Sequence, residues 1–103
     1  MPAIKINKET AKGYLANVNE SRLFWLPDGS ALKNIEELAK ALSSMSTETF
    51  EHHVNDQKND FANWIREVVG DIHLASSIQT AKTKTAVQKI IKSRIAELKK
   101  SVK

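Results

Sequence analysis

The apolar positions of this chain change their period several times, and each change marks an element. Ala11, Tyr14, Leu15 and Val18 recur at i, i+3, i+4, i+7, which predicts a short helix over 8–18 with Asn7 as its cap. Gly13 weakens its middle. Before it, Ile4 and Ile6 alternate weakly and suggest a loose arm or a short extended segment. Arg22-Leu23-Phe24-Trp25-Leu26 has no helical spacing and is the one strong strand candidate. Pro27-Asp28-Gly29 then supplies tight-turn chemistry, because proline presets φ and glycine accepts a positive one. Ser30-Ala31-Leu32 is the short return strand. A lone hairpin is marginal in water, so helices must cover it.

The helical periods that follow are clearer. Asn34 and Glu37 form a capping-box pair, and Ile35, Leu38, Ala39 and Leu42 share one face. Ser46 caps a helix over roughly 47–54, with Met45 and Phe50 at the hydrophobic-staple positions and Glu48 in the first turn. A further helix starts near Asn59 or Asp60, carries Phe61, Trp64, Ile65 and Val68, and stops at Gly70. Asp71 restarts a short helix with Ile72, Leu74, Ala75 and Ile78. The stretch 76–84 is Thr- and Lys-rich and reads as a frayed end or hinge. Thr85 with Gln88 is a second capping box, opening a helix to about residue 100. The expected fold is α+β and mainly α: one short N-terminal β-hairpin covered by five or six short helices, with a long amphipathic C-terminal helix.

A resemblance accompanies this pattern. Asp28-Gly29, Leu32-Lys33-Asn34, Glu37-Leu38, Ala41-Leu42, Met45 and Glu48-Thr49-Phe50 lead into His52-His53-Val54-Asn55. Lys58-Asn59-Asp60-Phe61-Ala62-Asn63-Trp64-Ile65, Gly70-Asp71 and Leu74-Ala75 complete the series. The succession resembles a small domain family of unknown function that recurs in archaeal and some bacterial proteins. The matched stretch is residues 22–78, and the resemblance implies a compact helical domain with a leading hairpin but no activity. Residues 79–103 lie outside that stretch.

Composition narrows the class. The chain has 103 residues, 41% apolar and 27% charged, which suits one soluble globular domain. Cysteine is absent, so disulfides, zinc–thiolate sites and a thiol nucleophile are excluded. No apolar run is long enough to span a bilayer and no signal-like segment opens the chain, so a cytoplasmic protein is expected, without a membrane partner. Three scattered glycines exclude a P-loop and a dinucleotide fingerprint.

The catalytic signals are weak. His52 and Asp56 would share a helical face, as two metal ligands do, but adjacent His52 and His53 diverge by about 100° and no third ligand stands at a telling spacing. The bland alternative has one imidazole in the core and the other solvated. No nucleophile with an orienting partner is visible, so an enzyme is not expected, and neither a metal nor a cofactor is called for.

Charge supplies the best functional lead. The net +4 divides unevenly: residues 1–80 carry eight Lys/Arg against eleven Asp/Glu, a net −3, whereas residues 81–103 carry eight against one, a net +7. The chain thus reads as a compact acidic part over 1–80 and a basic amphipathic helix over 81–103, both within one domain. In that helix Val87, Ile91, Ile95, Leu98 and Val102 form a stripe that Ile90 broadens, while Lys89, Lys92, Lys99, Lys100 and Lys103 lie off it. Lys82 and Lys84 add to them from the hinge. Three readings of the tail stay open. The stripe packs on the acidic part and its lysines merely solvate the outside; or the seven lysines hold a nucleic-acid backbone; or the helix lies on a membrane surface, which the lack of an aromatic anchor disfavours. A protein-interaction or homodimerisation variant uses the stripe (Ile91, Leu98) or the hairpin at Trp25. Trp64, amid Phe61, Ile65 and Val68, is expected in the core. Trp25 is ambiguous, because Leu23-Phe24-Trp25-Leu26 is apolar on both strand faces.

Overall fold

Residues 6–103 are described by a computed structural model; Ile4 of the N-terminal arm lies outside them. Helix α1 spans Lys8–Leu15 and starts where Asn7 accepts a hydrogen bond from the Thr10 amide. It stops three residues short of the predicted end because the Val18 amide leaves the helical path and donates to the Lys33 carbonyl, 2.8 Å away. A single 3₁₀ turn at Glu20–Arg22 follows, closed by Asn19, and replaces the first part of the expected strand. Strand β1 is therefore only Phe24–Trp25, paired antiparallel with β2, Ala31–Leu32, so that Phe24 faces Leu32 and Trp25 faces Ala31. The turn between them is the predicted one: Gly29 has φ +91°, and the Asp28 carboxylate accepts from the Ser30 hydroxyl and amide. The Ser30 hydroxyl and amide hold the Asp28 carboxyl below its ordinary pKa.

Helix α2 spans Ile35–Ser44 and buries Ile35, Leu38, Ala39 and Leu42, the predicted face. Its cap is reciprocal: Asn34 accepts from the Glu37 amide, and Glu37 reaches back to the Lys33 amide. Helix α3 spans Thr47–His53 behind Ser46. A second two-stranded pair follows that the sequence pattern does not announce, β3 at Val54–Asn55 and β4 at Lys58–Asn59. Helix α4, Asp60–Trp64, runs directly into a π turn at Ile65–Val69. There the Gly70 amide reaches the Ile65 carbonyl at 2.7 Å, and Gly70 turns out of it with φ +90°. Helix α5 spans Ile72–Gln79 with Asp71 as its cap. It extends into the stretch read as a hinge, and only Thr80–Thr83 link it to helix α6, Lys84–Val102. Among the described residues the architecture is α+β and mainly α, with two small strand pairs and six helices, the last of them the long C-terminal one.

Two packing centres hold these elements together. Around β1, Phe24 lies 5.0 Å from Phe61, 5.1 Å from His53 and 5.8 Å from Trp64 between ring centroids, giving edge-on and tilted aromatic contacts. Trp64 is buried, and its indole N–H donates to the Arg22 carbonyl at 2.9 Å. The second centre is α6, which packs against α1, α2 and α5. Its Val87, Ile91 and Leu98 are fully buried and Ile95 nearly so. No helix among the described residues is long and apolar enough to cross a membrane.

Candidate nucleic-acid interface

Helix α6 carries both the strongest apolar stripe and the densest charge. Its start differs by two residues from the expected capping box. Thr83, not Thr85, accepts from the Ala86 amide. Gln88 is drawn away to α2, where its amide donates to the Ala39 carbonyl at 2.9 Å and to the Ser43 hydroxyl. That tie and the Lys99–Glu36 ion pair at 3.2 Å show that α6 runs antiparallel to α2.

The burial of the stripe corrects one expectation. Ile91 and Leu98, proposed from the sequence as contacts for a partner or a second copy, have no exposed surface. The apolar faces of α1, α2 and α5 cover them, because burying that stripe within the chain stabilises the fold by about 25 cal/mol for each Å² of apolar surface removed from water, without needing a second molecule. Aspartate at either position would therefore unfold the domain rather than dissociate a dimer. Removal of 81–103 would likewise strip the core and cannot leave a folded remainder. An interfacial membrane helix needs the same stripe free, and it is not.

The lysines divide into three groups. Lys84 is half-buried, and its ammonium donates to the Met45 carbonyl at 2.6 Å, pinning the start of α6 to the α2–α3 junction. It is a structural tie rather than a free cation, which corrects its place among the predicted phosphate contacts. Lys99 is exposed and paired with exposed Glu36, a contact worth about 1 kcal/mol at most and open to exchange. Lys82, Lys89, Lys92, Lys100 and Lys103 are exposed and have no ion pair among the described residues. At 3.6 residues per turn, the lysines at 89, 92, 99 and 100 fall within an arc of about 100°. That arc is centred about 135° around the helix from the buried stripe, on the side away from Arg94.

One further cation belongs beside this ridge. Glu36, Lys40 and Ser43 lie at i, i+4, i+7 along one side of α2. Glu36 touches Lys99 and Ser43 touches Gln88, so exposed Lys40 between them faces the stretch of α6 around Lys92. The signal was present in α2's own period, but only the helix pairing gives it meaning.

The same helix handles its remaining charges differently. Arg94 makes a two-pronged contact with Asp71, Nε to Oδ2 at 2.8 Å and Nη2 to Oδ1 at 2.9 Å, and its third nitrogen engages Glu97. Asp71 is fully buried and also accepts from the Leu74 amide as the α5 cap. The hydrogen bonds to Asp71 outweigh burial and hold the Arg94 guanidinium above its ordinary pKa. Thus Glu97, the single acidic residue of residues 81–103, is engaged by Arg94.

Elsewhere, Trp25 is 62% exposed and Trp64 7%, which resolves the hairpin's ambiguity: the Phe24 face is covered and the Trp25 face is open. Phe24 and Leu26 share the inner face; Leu26, Pro27, Leu32, Ala41 and Met45 line a cleft of about 360 Å³ rimmed by Asp28, Ser30, Ser44, Ser46 and Thr49. Trp25 points away from it. His52 is exposed, and Asp56 lies in the β3–β4 turn beyond the end of α3, so the two do not stand one helical turn apart. His53 is buried instead, its Nδ1 2.9 Å from Asp60 Oδ2. A carboxylate only accepts, so Nδ1 carries the hydrogen, and Nε2 has no partner among the described residues. Lys58 completes this side of Asp60 at 3.0 Å. No three His, Asp or Glu side chains converge among the described residues.

Comparison with known proteins adds a family and nothing further. No curated protein and no solved structure matches this chain. A family model described as "Family of unknown function (DUF5752)" matches residues 5–100. The match reaches past residues 22–78 at both ends and takes in α1 and nearly all of α6, so the stretch that forms α6 lies within the matched domain. The chain belongs to DUF5752, a family of unknown function.

Proposed function

We propose that this domain is a non-catalytic cytoplasmic binding module that holds a nucleic-acid backbone on the outer face of α6. The observation that carries the reading is the division of cations on one helix. Arg94 and Lys84 are consumed within the fold, while Lys82, Lys89, Lys92, Lys100 and Lys103 are exposed without an acidic partner among the described residues. Lys40 and exchangeable Lys99 extend the same surface. Contacts from lysine ammoniums go to phosphates, so sequence preference is weak. If four of these lysines meet phosphates, the log–log salt slope on duplex is about −3.6, or roughly a hundredfold loss from 50 to 200 mM salt. Fluorescence anisotropy with labelled nucleic acid at both salt concentrations tests this. Absence of binding at 50 mM ends the proposal.

A second reading rests on Trp25. A tryptophan this exposed on a short hairpin suits a protein contact, where aromatic anchors dominate binding energy. It predicts a partner or homodimer that is lost on Trp25→Ser, read by light scattering for self-association.

A further inference from the structure

Resting on the proposed backbone binding, we infer that α6 is a groove-lying element for double-helical DNA, not a platform for single strands. Three observations carry this. The lysines form two rows along the helix, one of Lys92 and Lys99, seven residues apart, and one of Lys89 and Lys100, eleven residues apart. Seven and eleven residues are close to two and three full turns, so each pair repeats on nearly one line, about 10 Å and about 17 Å apart. Between the rows lies exposed Ala96, so the crest there is a single methyl group. Such a crest lets the helix backbone approach closely, with a row of cations on either side to meet the two phosphate walls of a groove. A helix of about 10–12 Å diameter matches the roughly 12 Å width of the B-form major groove.

The second observation is what the ridge lacks. Helix α6 contains no aromatic residue, and single-strand binders draw about 1–3 kcal/mol per base from aromatic stacking. The third is the clearing of acid from the surface: Glu97 is held by Arg94 and Glu36 by Lys99, so no unpaired carboxylate on α6 faces the ridge. Double-helical DNA has the densest regular phosphate charge and a groove open to a helix. The deep, narrow major groove of an RNA duplex does not admit one.

The test uses the full chain and three probes at 50 mM salt: a DNA duplex of about two turns (~20 bp), one of its strands, and the RNA duplex of the same sequence. The expected result is binding to the DNA duplex about tenfold tighter than to either other probe. Binding to the strand or to the RNA duplex with equal affinity overturns the groove inference while sparing backbone binding. No binding to any probe overturns both, and capture of an acidic peptide alone does the same. Ala96→Tyr gives an independent readout. It blocks close approach and lowers duplex affinity about fivefold, yet supplies a stacking ring that raises single-strand affinity. An unchanged duplex affinity in that variant overturns the groove geometry. Equal melting temperatures for variant and parent establish that the fold is intact.

Discussion

The two flanks of α6 carry the same sign of charge to opposite ends. On the α5 side, Arg94 is held by Asp71 through two hydrogen bonds, and both side chains are more than nine-tenths buried. On the outer side, Lys89, Lys92, Lys100 and Lys103 stand in water without partners among the described residues. A sequence count treats all of them alike. Burial separates them: a desolvated charge must be answered within the fold, whereas a solvated one is available to a ligand.

The largest effect that can sharpen this contrast is on the buried side. Asp71→Ala leaves the Arg94 guanidinium desolvated and unpaired, and it removes the α5 cap as well. The expected loss is about 3–5 kcal/mol of stability, read from the denaturant midpoint. Arg94→Met should fall in the same range by stranding the Asp71 carboxylate. Arg94→Lys should recover only part of it, because an ammonium cannot reproduce the two-pronged contact. If Asp71→Ala costs under about 0.5 kcal/mol, the two flanks do not differ and the contrast fails.

Next comes Asn59, buried where β4 meets α4. Its side chain caps α4 through the Ala62 amide and donates to the Ile78 carbonyl on α5, each at 3.0 Å. Asn59→Ala removes the cap and leaves a buried carbonyl unpaired, for an expected loss of about 1–3 kcal/mol. Asn59→Asp keeps the cap but cannot donate to Ile78, so a smaller loss there would apportion the two bonds.

A smaller effect is pH-dependent and belongs to the His53 cluster. Burial works to raise the Asp60 pKa, but the hydrogen bonds and charges of His53 and Lys58 together outweigh it and leave the carboxyl below its ordinary value. The unfolded chain therefore binds this proton more tightly than the folded one. The contribution is fully present above the unfolded pKa of about 3.9 and is lost as pH falls through the lower folded value. Asp60→Asn should flatten the acid limb of the stability profile in that window. An acid limb unchanged by the substitution would show that other carboxylates set it.

Much of this fold was legible in the chain, and what was hidden has physical causes. Asn7, Asn34, Ser46 and Asp71 were readable as caps, because a cap needs only its own side chain and an amide three residues on. The stripe of α6 was readable by period alone. The β3–β4 pair was not, since its Asp56-Gln57 loop has no glycine. Among the described residues no non-glycine φ is positive, and Asn55 closes the loop by accepting from the Gln57 amide. The start of α6 was misplaced because Gln88, an apparent capping-box partner of Thr85, has its tie on α2. The Asp71–Arg94 pair spans 23 residues, and no local spacing announces it. For the candidate site, the lysines were legible as a group. Which of them the fold consumes was not: Lys84 answers a carbonyl 39 residues away.

The smallest expected effect on stability is the most informative about function. Lys92→Gln with Lys100→Gln removes two exposed, unpaired ammoniums, one from each row of the ridge, and leaves every packed contact in place. Stability should stay within about 0.5 kcal/mol of the parent, because such side chains have no bond in the fold to lose. Reduced self-repulsion among the lysines should move any residual change toward stabilisation. The salt slope on duplex should shallow by about two in Z, from roughly −3.6 to roughly −1.8, and binding at 50 mM salt should weaken accordingly. A marked drop in stability would place these lysines with Arg94 as structural charges. An unchanged slope with unchanged stability would mean that any phosphate contact is made elsewhere. Only a lost slope on an intact fold separates the outer flank of α6 from its buried one by what each charge does.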